Sequence, residues 1–597
     1  MLRWRKFCCI ALSFCTTAAL AQTSFANPAL TPLPESHIRS SPDPYPANHQ
    51  HPGPAWFEDV APQAGLHMLN VNGGVNHKKY ILETTGSGVA ILDYDRDGWP
   101  DIYIANGEML HAKGAPPPTD HPTGHLYHNN HDGTFTDVTQ AAGLAATGWG
   151  QGACVGDYDN DGYDDLYVTY YGKNRLYHNQ GNGTFKEVAE QSGVAGNGTD
   201  WSTGCSFVDY DRDGKLDLMV ATYVKFDLAT APVPGQGLTC IWKGTPVECG
   251  PRGLPYTSQI LYHNLGNGKF ADVSRTSGID KTDAHYCFSV STLDFNQDGW
   301  PDIYIACDST ASILYRNNKD GTFTDIAPDA GVAYSADGRE QAGMGSTVGD
   351  YNGDGLQDIF KTNFSDDTSS LYRNNGDGTF TPSIDDVGLG LNTQYLGWGT
   401  MFVDIDNDSW PDILIVNGHV YPEVDTGHLG STYKEPRLFY WNQGNEKFKD
   451  LSQQCGPACT DPKSSRGMAV ADFWNDGRES AVINNMSERP MLLVNVAANN
   501  NHWLGVITVG TKSNRDGIGA QVTVFSGDHK WMHEVRSGSS YISSSDLRLH
   551  FGLGSASTID RIAVRWPSGL HEVFHFTGKD RGVDRFVTLV EGKGEPG

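Results

Sequence analysis

Short apolar runs, separated by turn residues, make up most of this chain. Runs such as "DIYIAN" from Asp101 and "DLYVTY" from Asp165 are rich in β-branched and aromatic residues. Asn-Gly and Asp-Gly pairs lie between such runs, which is typical of β-hairpins. No stretch repeats its apolar residues with the period of about 3.6 that marks an amphipathic helix. The pattern predicts an all-β protein built from short antiparallel strands.

One acidic phrase recurs along the chain. "DYDRDGWPD" begins at Asp93, and five close copies begin at Asp157, Asp209, Asp294, Asp350 and Asp404. A degenerate seventh copy, "DFWNDGRES", begins at Asp472. Each copy follows an apolar stretch, which contains glycine in all copies except the fourth, and precedes an apolar strand and then, in the best examples, a hairpin such as "LYHNNHDGTF" from Leu126. Four short strands in each of seven repeats of roughly fifty residues predict a seven-bladed β-propeller.

The two ends of the repeat array complement each other. "WFEDVAPQAGL" from Trp56 resembles the phrase that ends other repeats, yet it precedes the first acidic phrase. The last repeat stops at "MLLVNVA" from Met491 and lacks that ending. We therefore expect residues near 56–66 to supply the missing outer strand of the last blade. Such a strand closes the ring and removes exposed sheet edges.

The chain changes character after about residue 500. Short strands between Gly and Ser turns, such as "AQVTVFSG" from Ala520, predict a small C-terminal β-sandwich-like domain. The expected organisation is a signal peptide at 1–21, a linker at 22–55, the propeller at 56–499 and the C-terminal β domain at 500–597. Insertions near 107–124, 225–258 and 419–436 are expected to gather on one face, often the binding face of repeat proteins.

Charge and the N-terminal segment limit the classes of function. The net charge of −28 argues against nucleic acid as a partner and suits a protein that binds cations. The basic residues Arg3, Arg5 and Lys6 precede an apolar run and an Ala19-Leu20-Ala21 cleavage pattern. The run is shorter than the roughly 20 residues of a spanning helix. We expect cleavage after Ala21 and an exported protein, extracellular or periplasmic, without a membrane span.

Eight cysteines follow the signal segment, and an even number in an exported chain favours disulfide bonds. Proximity in the sequence predicts the pairs Cys240–Cys249 and Cys455–Cys459. The pairing of the remaining four cysteines stays open.

The acidic phrase has the composition of a calcium loop. Oxygen-bearing side chains occupy positions 1, 3, 5 and 9, and glycine at position 6 permits a tight curl. Calcium takes six to eight oxygen ligands, whereas magnesium demands near-octahedral geometry and keeps its waters. Solvated Asx turns are the alternative interpretation, which six matching copies disfavour. About six ions with a structural role are therefore expected.

The predicted calcium ligands come from six loops. They are Asp93, Asp95, Asp97 and Asp101; Asp157, Asp159, Asp161 and Asp165; Asp209, Asp211, Asp213 and Asp217; Asp294, Asn296, Asp298 and Asp302; Asp350, Asn352, Asp354 and Asp358; and Asp404, Asp406, Asp408 and Asp412. Ser409 replaces the usual glycine in the sixth loop, which predicts weaker binding there. The seventh loop has Trp474 and Ser480 at ligand positions and is expected to bind no ion.

Polar and aromatic residues precede the acidic loops on the presumed inner strands. If they converge at the mouth of the central channel, they form a pocket suited to a sugar or a peptide. These candidate binding residues are Glu83, Trp149, Trp201, His285, Tyr286, Glu340, Trp398 and Arg466, with Arg339 beside them. Packing between blades is the favoured alternative, because no pair has the spacing of a catalytic acid and base.

No other motif carries a convincing catalytic site. "HEVFH", from His571 to His575, has the pattern of a zinc peptidase, but that chemistry needs a helix and this segment reads as a strand. On a strand the two histidines stand about 13 Å apart, too far to share one zinc ion. No catalytic residues are assigned.

The repeats, D-x-D-x-D-G-x-x-D followed by "LYxNxGxGTF", resemble the FG-GAP/VCBS repeats of integrin-type propellers. The tail from Asn514, beginning "NRDGIGAQVTVFSG", resembles an ASPIC/UnbV domain. The two in this order resemble the cartilage acidic protein family. That resemblance implies a secreted, calcium-binding protein with an extracellular or adhesive role and no established catalytic residues.

Two hypotheses for function follow from the sequence. The first is an exported, calcium-binding, non-catalytic module for cell adhesion or for binding an extracellular protein or glycan. The alternative is a propeller enzyme, a lyase or hydrolase, acting on polysaccharide at the channel mouth, because fold alone does not fix function.

Overall fold

Strands form almost all the regular structure in this computed structural model, which describes residues 43–47, 53–110, 121–281 and 285–597. The predicted signal peptide at 1–21 lies outside the described residues. Within them, the α-helices are single turns and no helix is long and apolar enough to cross a membrane. The prediction of an all-β protein is confirmed.

Within the described residues, seven four-stranded antiparallel sheets carry the repeats. Sheet 1 contains Val89–Leu92, Asp101–Ile104, His125–Asn129 and Phe135–Asp137, and sheet 2 contains Trp149–Gly156, Asp165–Tyr171, Arg175–Asn179 and Phe185–Glu187. Sheet 3 contains Ser202–Val208, Asp217–Thr222, Ile260–Gly266 and Lys269–Asp272, and sheet 4 contains Cys287–Leu293, Asp302–Cys307, Ile313–Asn317 and Phe323–Asp325. Sheet 5 contains Gly343–Gly349, Asp358–Asn363, Ser370–Asn374 and Phe380–Pro382, and sheet 6 contains Gly397–Val403, Asp412–Asn417, Leu438–Asn442 and Phe448–Asp450. Sheet 7 contains Ser465–Ala471, Ser480–Asn485, Met491–Asn495 and Phe57–Asp59.

The sheets form a closed propeller. The first strand of each sheet contacts the first strands of the sheets before and after it, and sheet 7 contacts sheet 1. The N-terminal strand Phe57–Asp59 completes sheet 7 by antiparallel pairing, with Phe57 opposite Asn495 and Asp59 opposite Leu493. Its position agrees with the strand that the sequence predicted for the last blade. The ring is therefore closed by residues from both ends of the array.

One buried asparagine ties each sheet to the preceding one. The Nδ2 atom of Asn374, in the third strand of sheet 5, donates a 2.8 Å hydrogen bond to Phe295 O in the acidic loop of sheet 4. The same bond joins Asn129 to Phe473, Asn179 to Tyr94, Asn264 to Tyr158, Asn317 to Tyr210, Asn442 to Tyr351 and Asn495 to Ile405, at 2.7–3.1 Å. The acceptor is the residue after the first aspartate of the loop in every case. This asparagine explains the last letter of "LYHN" in the repeat.

Short helices follow the outer strands of five sheets. Each is one turn long and ends at a glycine with left-handed backbone angles, such as Gly65 with φ 89°. These helices span Ala61–Ala64, Thr139–Ala142, Ala189–Ser192, Ser274–Ser277 and Ala327–Ala330, and two further helices span Glu423–Gly427 and Pro457–Thr460. Short 3-10 turns lie at Ile81–Glu83, Leu238–Cys240, Ile279–Lys281 and Gly578–Arg581, and a small hairpin pairs Ile241–Trp242 with Thr245–Pro246.

The C-terminal segment forms two packed sheets. One contains Leu549–Gly554, His502–Val509 and Arg585–Val590, and the other contains His529–Glu534, Gln521–Ser526, Arg561–Arg565, His571–His575 and Glu595–Pro596. Leu504 and Phe551 of the first sheet share a core with Val522 and Ile562 of the second. The same core continues into Phe207 of the propeller, so these sheets pack on the ring. The "HEVFH" segment is a strand, as the sequence indicated.

Four disulfide bonds lie within the described residues. Cys240–Cys249 and Cys455–Cys459 are the pairs that the sequence predicted. Cys154–Cys205 links the first strands of sheets 2 and 3, and Cys287–Cys307 joins two paired strands of sheet 4.

The asparagine tie predicts a matched pair of variants. Asn374→Ala leaves two carbonyl oxygens, Phe295 O and Gln357 O, without this donor. We expect it to lower the free energy of unfolding by about 2–4 kcal/mol, the cost of unsatisfied buried polar groups. The neighbouring Asn375→Ala removes an exposed side chain that bonds within its own turn and should cost less than about 1 kcal/mol. Urea unfolding of both variants tests this, and equal losses would contradict it.

Acidic loops and the channel-mouth cavity

The six predicted calcium loops share one end of the propeller. Each connects the first strand of its sheet to the second, as residues 93–101 connect Val89–Leu92 to Asp101–Ile104. The residues that precede the first strands lie at the opposite end of the ring. The molecule therefore has an acidic-loop face and a channel-mouth face.

Backbone hydrogen bonds hold each loop curled around its first aspartate. Asp93 Oδ1 accepts from Asp97 N at 3.0 Å, and Asp93 Oδ2 accepts from Gly98 N at 2.9 Å. Equivalent bonds form in the other five loops. The closing Asp101 accepts from Asn129 N in the third strand at 2.8 Å. The loop is thus ordered by its own backbone and by the next hairpin.

The loop carboxylates form clusters that fit a hard cation. Oxygen atoms of Asp93, Asp95 and Asp101 lie within 4.8 Å of one another, and Asp157, Asp159 and Asp161 form a second such group. Two buried carboxylate oxygens, Asp95 Oδ1 and Asp302 Oδ2, have no hydrogen-bond partner among the described residues. An orphaned carboxylate oxygen is costly in the interior unless a cation or a proton compensates it. This donor set is the kind that calcium takes.

The electrostatics of the loops agree with an uncompensated negative charge. Burial raises the pKa of Asp93 to about 7 and the pKa of Asp209 to about 8, and neighbouring aspartates add to both shifts. Burial also raises the pKa of the closing aspartates well above the usual range in five loops, at Asp101, Asp165, Asp302, Asp358 and Asp412. A bound cation would favour the ionised form of these groups.

Histidines border three of the loops, and the sequence analysis missed them. His128 Nδ1 lies 3.3 Å from Asp101 Oδ1, and His263 Nδ1 lies 3.0 Å from Asp217 Oδ1. His178 takes the same place beside Asp165. The third letter of "LYHN" in the first three repeats, against arginine or tryptophan in the next three, is the signal that could have revealed them.

The sixth and seventh loops depart from the pattern. Ser409 adopts φ 82°, the left-handed region that glycine occupies in the other five loops, so its side chain adds local strain. In the seventh loop, Trp474 is fully buried and Arg478 Nη2 lies 2.6 Å from Asp476. Arg478 therefore supplies positive charge beside this loop.

A loop of the C-terminal domain fills the central channel. Residues 537–546, hereafter the channel loop, bond to first strands around the ring. Ile91 N donates to Ser544 O at 2.9 Å, and Ser346 N donates to Ser540 O at 3.0 Å. At its tip, the ring of Tyr541 lies 4.7 Å from that of Trp398. No pattern in the sequence predicted this contact.

Glycines in the first strands make room for the channel loop. A Cβ atom at Gly88 would lie 2.4 Å from Ile542 O, and one at Gly467 would lie 3.0 Å from Ser543 Oγ. The glycines before the first and seventh acidic phrases therefore have a packing role at the channel.

A cavity of about 400 Å³ opens at the channel mouth. Its walls come from the ends of the strands and from two of the insertions, around residues 242–252 and 420–421. Trp398 and Phe288, which both contact the ring of Tyr541, lie on its wall. The channel loop thus closes the channel beneath the cavity, which makes it a blind pocket.

The structure brings two of the eight candidate mouth residues, Glu340 and Trp398, to this cavity, and Arg339 lies beside them. Glu340 is exposed and pairs with Arg252 at 3.2 Å. Trp398 is buried, with the guanidinium of Arg466 4.1 Å from its ring centroid.

The other six candidates do not line the cavity. Glu83 accepts from the backbone of Gly74, Lys79 and Tyr80, so it orders its own turn. Trp149, Trp201 and Tyr286 are buried in the aromatic core, Arg466 is buried among carbonyl oxygens, and His285 bonds to Ala311 O. Packing accounts for their positions.

Several cavity residues escaped the sequence analysis. Tyr223 and Asp308 follow second strands, and Trp242, Glu248 and Tyr421 belong to insertions. Glu248 and Asp308 each lie next to a disulfide-bonded cysteine, Cys249 and Cys307, which fixes their backbone. For Tyr223 and Asp308, the signal in the sequence was their position directly after a second strand, because a second strand ends at the same end of the ring at which a first strand begins.

Two family models match the chain. The FG-GAP-like repeat matches residues 93–168, 157–220, 255–305, 294–361 and 350–415, which include all six predicted calcium loops. The ASPIC and UnbV model matches residues 510–596.

Curated relatives and solved structures are more distant. Cartilage acidic protein 1 of Homo sapiens is 25% identical over 364 residues, covering 56% of this chain and 52% of the relative. The Mus musculus protein of that name is 24% identical over 370 residues, covering 61% and 51%. The chain spans about half the length of these relatives. A structure of an Agrocybe aegerita lectin that recognises non-reducing terminal N-acetylglucosamine aligns at TM-score 0.36 and 16% identity, over 68% of this chain and 87% of that one.

A buried histidine beside the cavity predicts acid sensitivity. His419 Nδ1 accepts from Tyr421 N at 3.1 Å, and burial lowers the pKa of His419 to about 3. The pKa of His419 in the folded protein lies below its ordinary value of 6.5. The contribution of the neutral histidine to stability is therefore complete above pH 6.5 and is lost as the pH falls below 6.5. This histidine should cost about 2 kcal/mol of stability at pH 5 relative to neutral pH.

The His419→Asn variant isolates this effect, since asparagine does not titrate. The difference in unfolding free energy between wild type and variant should shift by about 2 kcal/mol between neutral pH and pH 5. A pH-independent difference for His419→Asn would contradict the assignment.

Proposed function

This chain belongs to the cartilage acidic protein-like family, and on that premise we propose that it is an exported, calcium-binding, non-catalytic module that binds an extracellular protein or glycan. The propeller provides a rigid frame, calcium in six loops stabilises one end, and the cavity at the other end receives the ligand. The single observation that carries the binding role is the 400 Å³ blind cavity with aromatic and charged walls.

The donor sets support calcium. The ligands would be the side chains at positions 1, 3, 5 and 9 of the six loops, from Asp93–Asp101 to Asp404–Asp412. When bound, the ion supplies positive charge that relieves the repulsion among three or four carboxylates. The orphaned oxygens of Asp95 and Asp302 support this role.

Calcium would also support the contact between the C-terminal domain and the ring. Asp157 N, in the second loop, donates to Asp516 Oδ2 at 2.8 Å, and Arg565 forms an ion pair with Asp294 of the fourth loop. Asn501 Nδ2 donates to Asp406 O in the sixth loop at 2.9 Å. Loop order and domain contact therefore depend on each other.

Export is supported by the N-terminal sequence and by the disulfide bonds. Disulfides persist in oxidising compartments, and four join cysteines of the described chain. Either an extracellular or a periplasmic location suits this chemistry.

Removal of calcium should destabilise the protein. We expect EGTA to lower the melting temperature by many degrees, because the loop carboxylates then repel one another without compensation. Asp302→Asn should remove about one bound ion per chain, measured by elemental analysis after desalting. Asp472→Asn in the seventh loop is the matched control and should leave the ion count unchanged. A melting temperature that EGTA does not change would contradict the calcium assignment.

Ligand arrays test the binding role directly. The protein should bind members of a glycan or extracellular-protein array, and EGTA should weaken this binding because the frame loosens. Phe364→Leu, which alters a cavity wall, should reduce the signal, whereas Phe525→Leu on the C-terminal sheet should not. Turnover of a polysaccharide in a parallel substrate panel would favour the enzyme instead.

A further inference from the structure

The channel-mouth cavity carries an excess of negative charge. Five acidic side chains and two arginines line it: Glu248, Asp308, Glu340, Asp366 and Asp367, with Arg252 and Arg339. Both arginines already have acidic partners, since Arg252 pairs with Glu340 at 3.2 Å and Arg339 with Asp337 at 2.6 Å. A third cation, Lys243, pairs with Asp366 at 2.7 Å. Glu248, Asp308 and Asp367 are left without an ion pair among the described residues, so the cavity keeps a net negative charge.

Glu248 is the acidic residue of the cavity whose carboxylate most clearly lacks a partner. Its side chain is 1% exposed, and its Oε2 atom has no hydrogen-bond partner among the residues that the structure describes. The nearby ammonium of Lys78 donates instead to Asn72 O at 2.7 Å. A buried carboxylate oxygen without a partner is costly, so this wall favours an incoming cation or donor. Asp308, by contrast, accepts from Tyr223 OH at 2.6 Å.

Three aromatic residues of the cavity wall form one packed cluster around the ring of His419. The ring centroids of Trp242, Phe364 and Tyr421 lie 5.8–6.5 Å from one another, and all three residues line the cavity. The chain already places an ammonium group on this surface, because Lys243 Nζ lies 4.3 Å from the Trp242 ring centroid. Aromatic faces attract ammonium groups through their quadrupoles, most strongly where water is excluded.

We propose that the cavity recognises its ligand through an alkylammonium group. Glu248 compensates the charge, and the methyl or methylene groups next to the nitrogen lie against Trp242, Phe364 and Tyr421. This assignment rests on the proposed binding role of the cavity and names the ligand chemistry. A free quaternary amine and a lysine side chain of a partner protein share that chemistry.

Calorimetry with small probes tests the assignment. Choline represents the free amine, and 3,3-dimethylbutan-1-ol is its neutral isostere. N-acetyl-lysine methylamide represents the protein side chain, and its Nζ-acetylated form is the neutral match. We expect at least one cation to bind at least about tenfold more tightly than its neutral counterpart. Choline alone points to a free amine, and the lysine compound alone points to a protein partner.

Two variants separate the role of the charge from general damage. Glu248→Gln keeps the shape of a buried side chain whose carboxyl pKa burial raises well above its usual range, so the variant should fold at least as well as wild type by melting temperature. It should weaken binding of the cation by about tenfold or more and leave the neutral isostere unaffected. Glu190→Gln, at an exposed position of the short helix Ala189–Ser192 outside the cavity, is the matched control and should change the affinity by less than about twofold.

Three results would overturn the proposal: no binding of either cation at millimolar concentration, equal affinity for cations and neutral isosteres, or unchanged affinity in Glu248→Gln. If the arrays find a glycan or protein ligand while the cations fail, this inference is wrong and the binding role stands. If the cations bind while the arrays find nothing, the ammonium site stands and the macromolecular role fails.

Discussion

A single side-chain amide, repeated around the ring, holds the sheets in register with one another. The asparagine of each third strand donates to the acidic loop of the preceding sheet, and the pairs run through Asn129 and Phe473 to close the circle. Because the acceptor follows the first aspartate of the loop, the position of every loop depends on the next sheet. The backbone N–H of the same asparagine donates to the closing aspartate of the loop in its own sheet, as Asn129 N donates to Asp101. One asparagine in each repeat therefore positions both an acidic loop and the neighbouring sheet, so the geometry of the loops and that of the ring depend on the same residue.

The two ends of the ring use negative charge in different ways. At the acidic-loop face, several carboxylates share each corner, and burial together with neighbouring aspartates raises the pKa values of groups such as Asp93 and Asp209. At the channel mouth, Glu248 lies buried on a disulfide-anchored insertion, in a cavity that aromatic residues also line. The first arrangement suits a small, hard, divalent ion, and the second suits a soft organic cation.

The C-terminal domain connects these two faces. Its sheets pack against the acidic loops, and its channel loop passes between the first strands to Tyr541, which contacts Trp398 below the cavity. Glycines such as Gly88 admit this loop, because any side chain there would meet Ile542 O. Continuous packing through the C-terminal domain thus connects the acidic loops to the base of the cavity.

The sequence by itself determined the repeats, the sheet composition, the closing strand and the acidic loops. These features are local or periodic, so spacing within one repeat, or comparison of one repeat with another, was enough to reveal them. Only the tertiary structure decided which residues meet at the channel mouth. Glu340 and Trp398 line the cavity, whereas Glu83 and Trp201 are buried in contacts with the rest of the fold. The direction in which a side chain near a strand end points depends on the residues packed around it. Tyr223, Glu248 and Asp308, the channel loop and the histidines beside the loops come from distant parts of the chain. Their convergence depends on ring closure, which brings together residues that no sequence spacing relates.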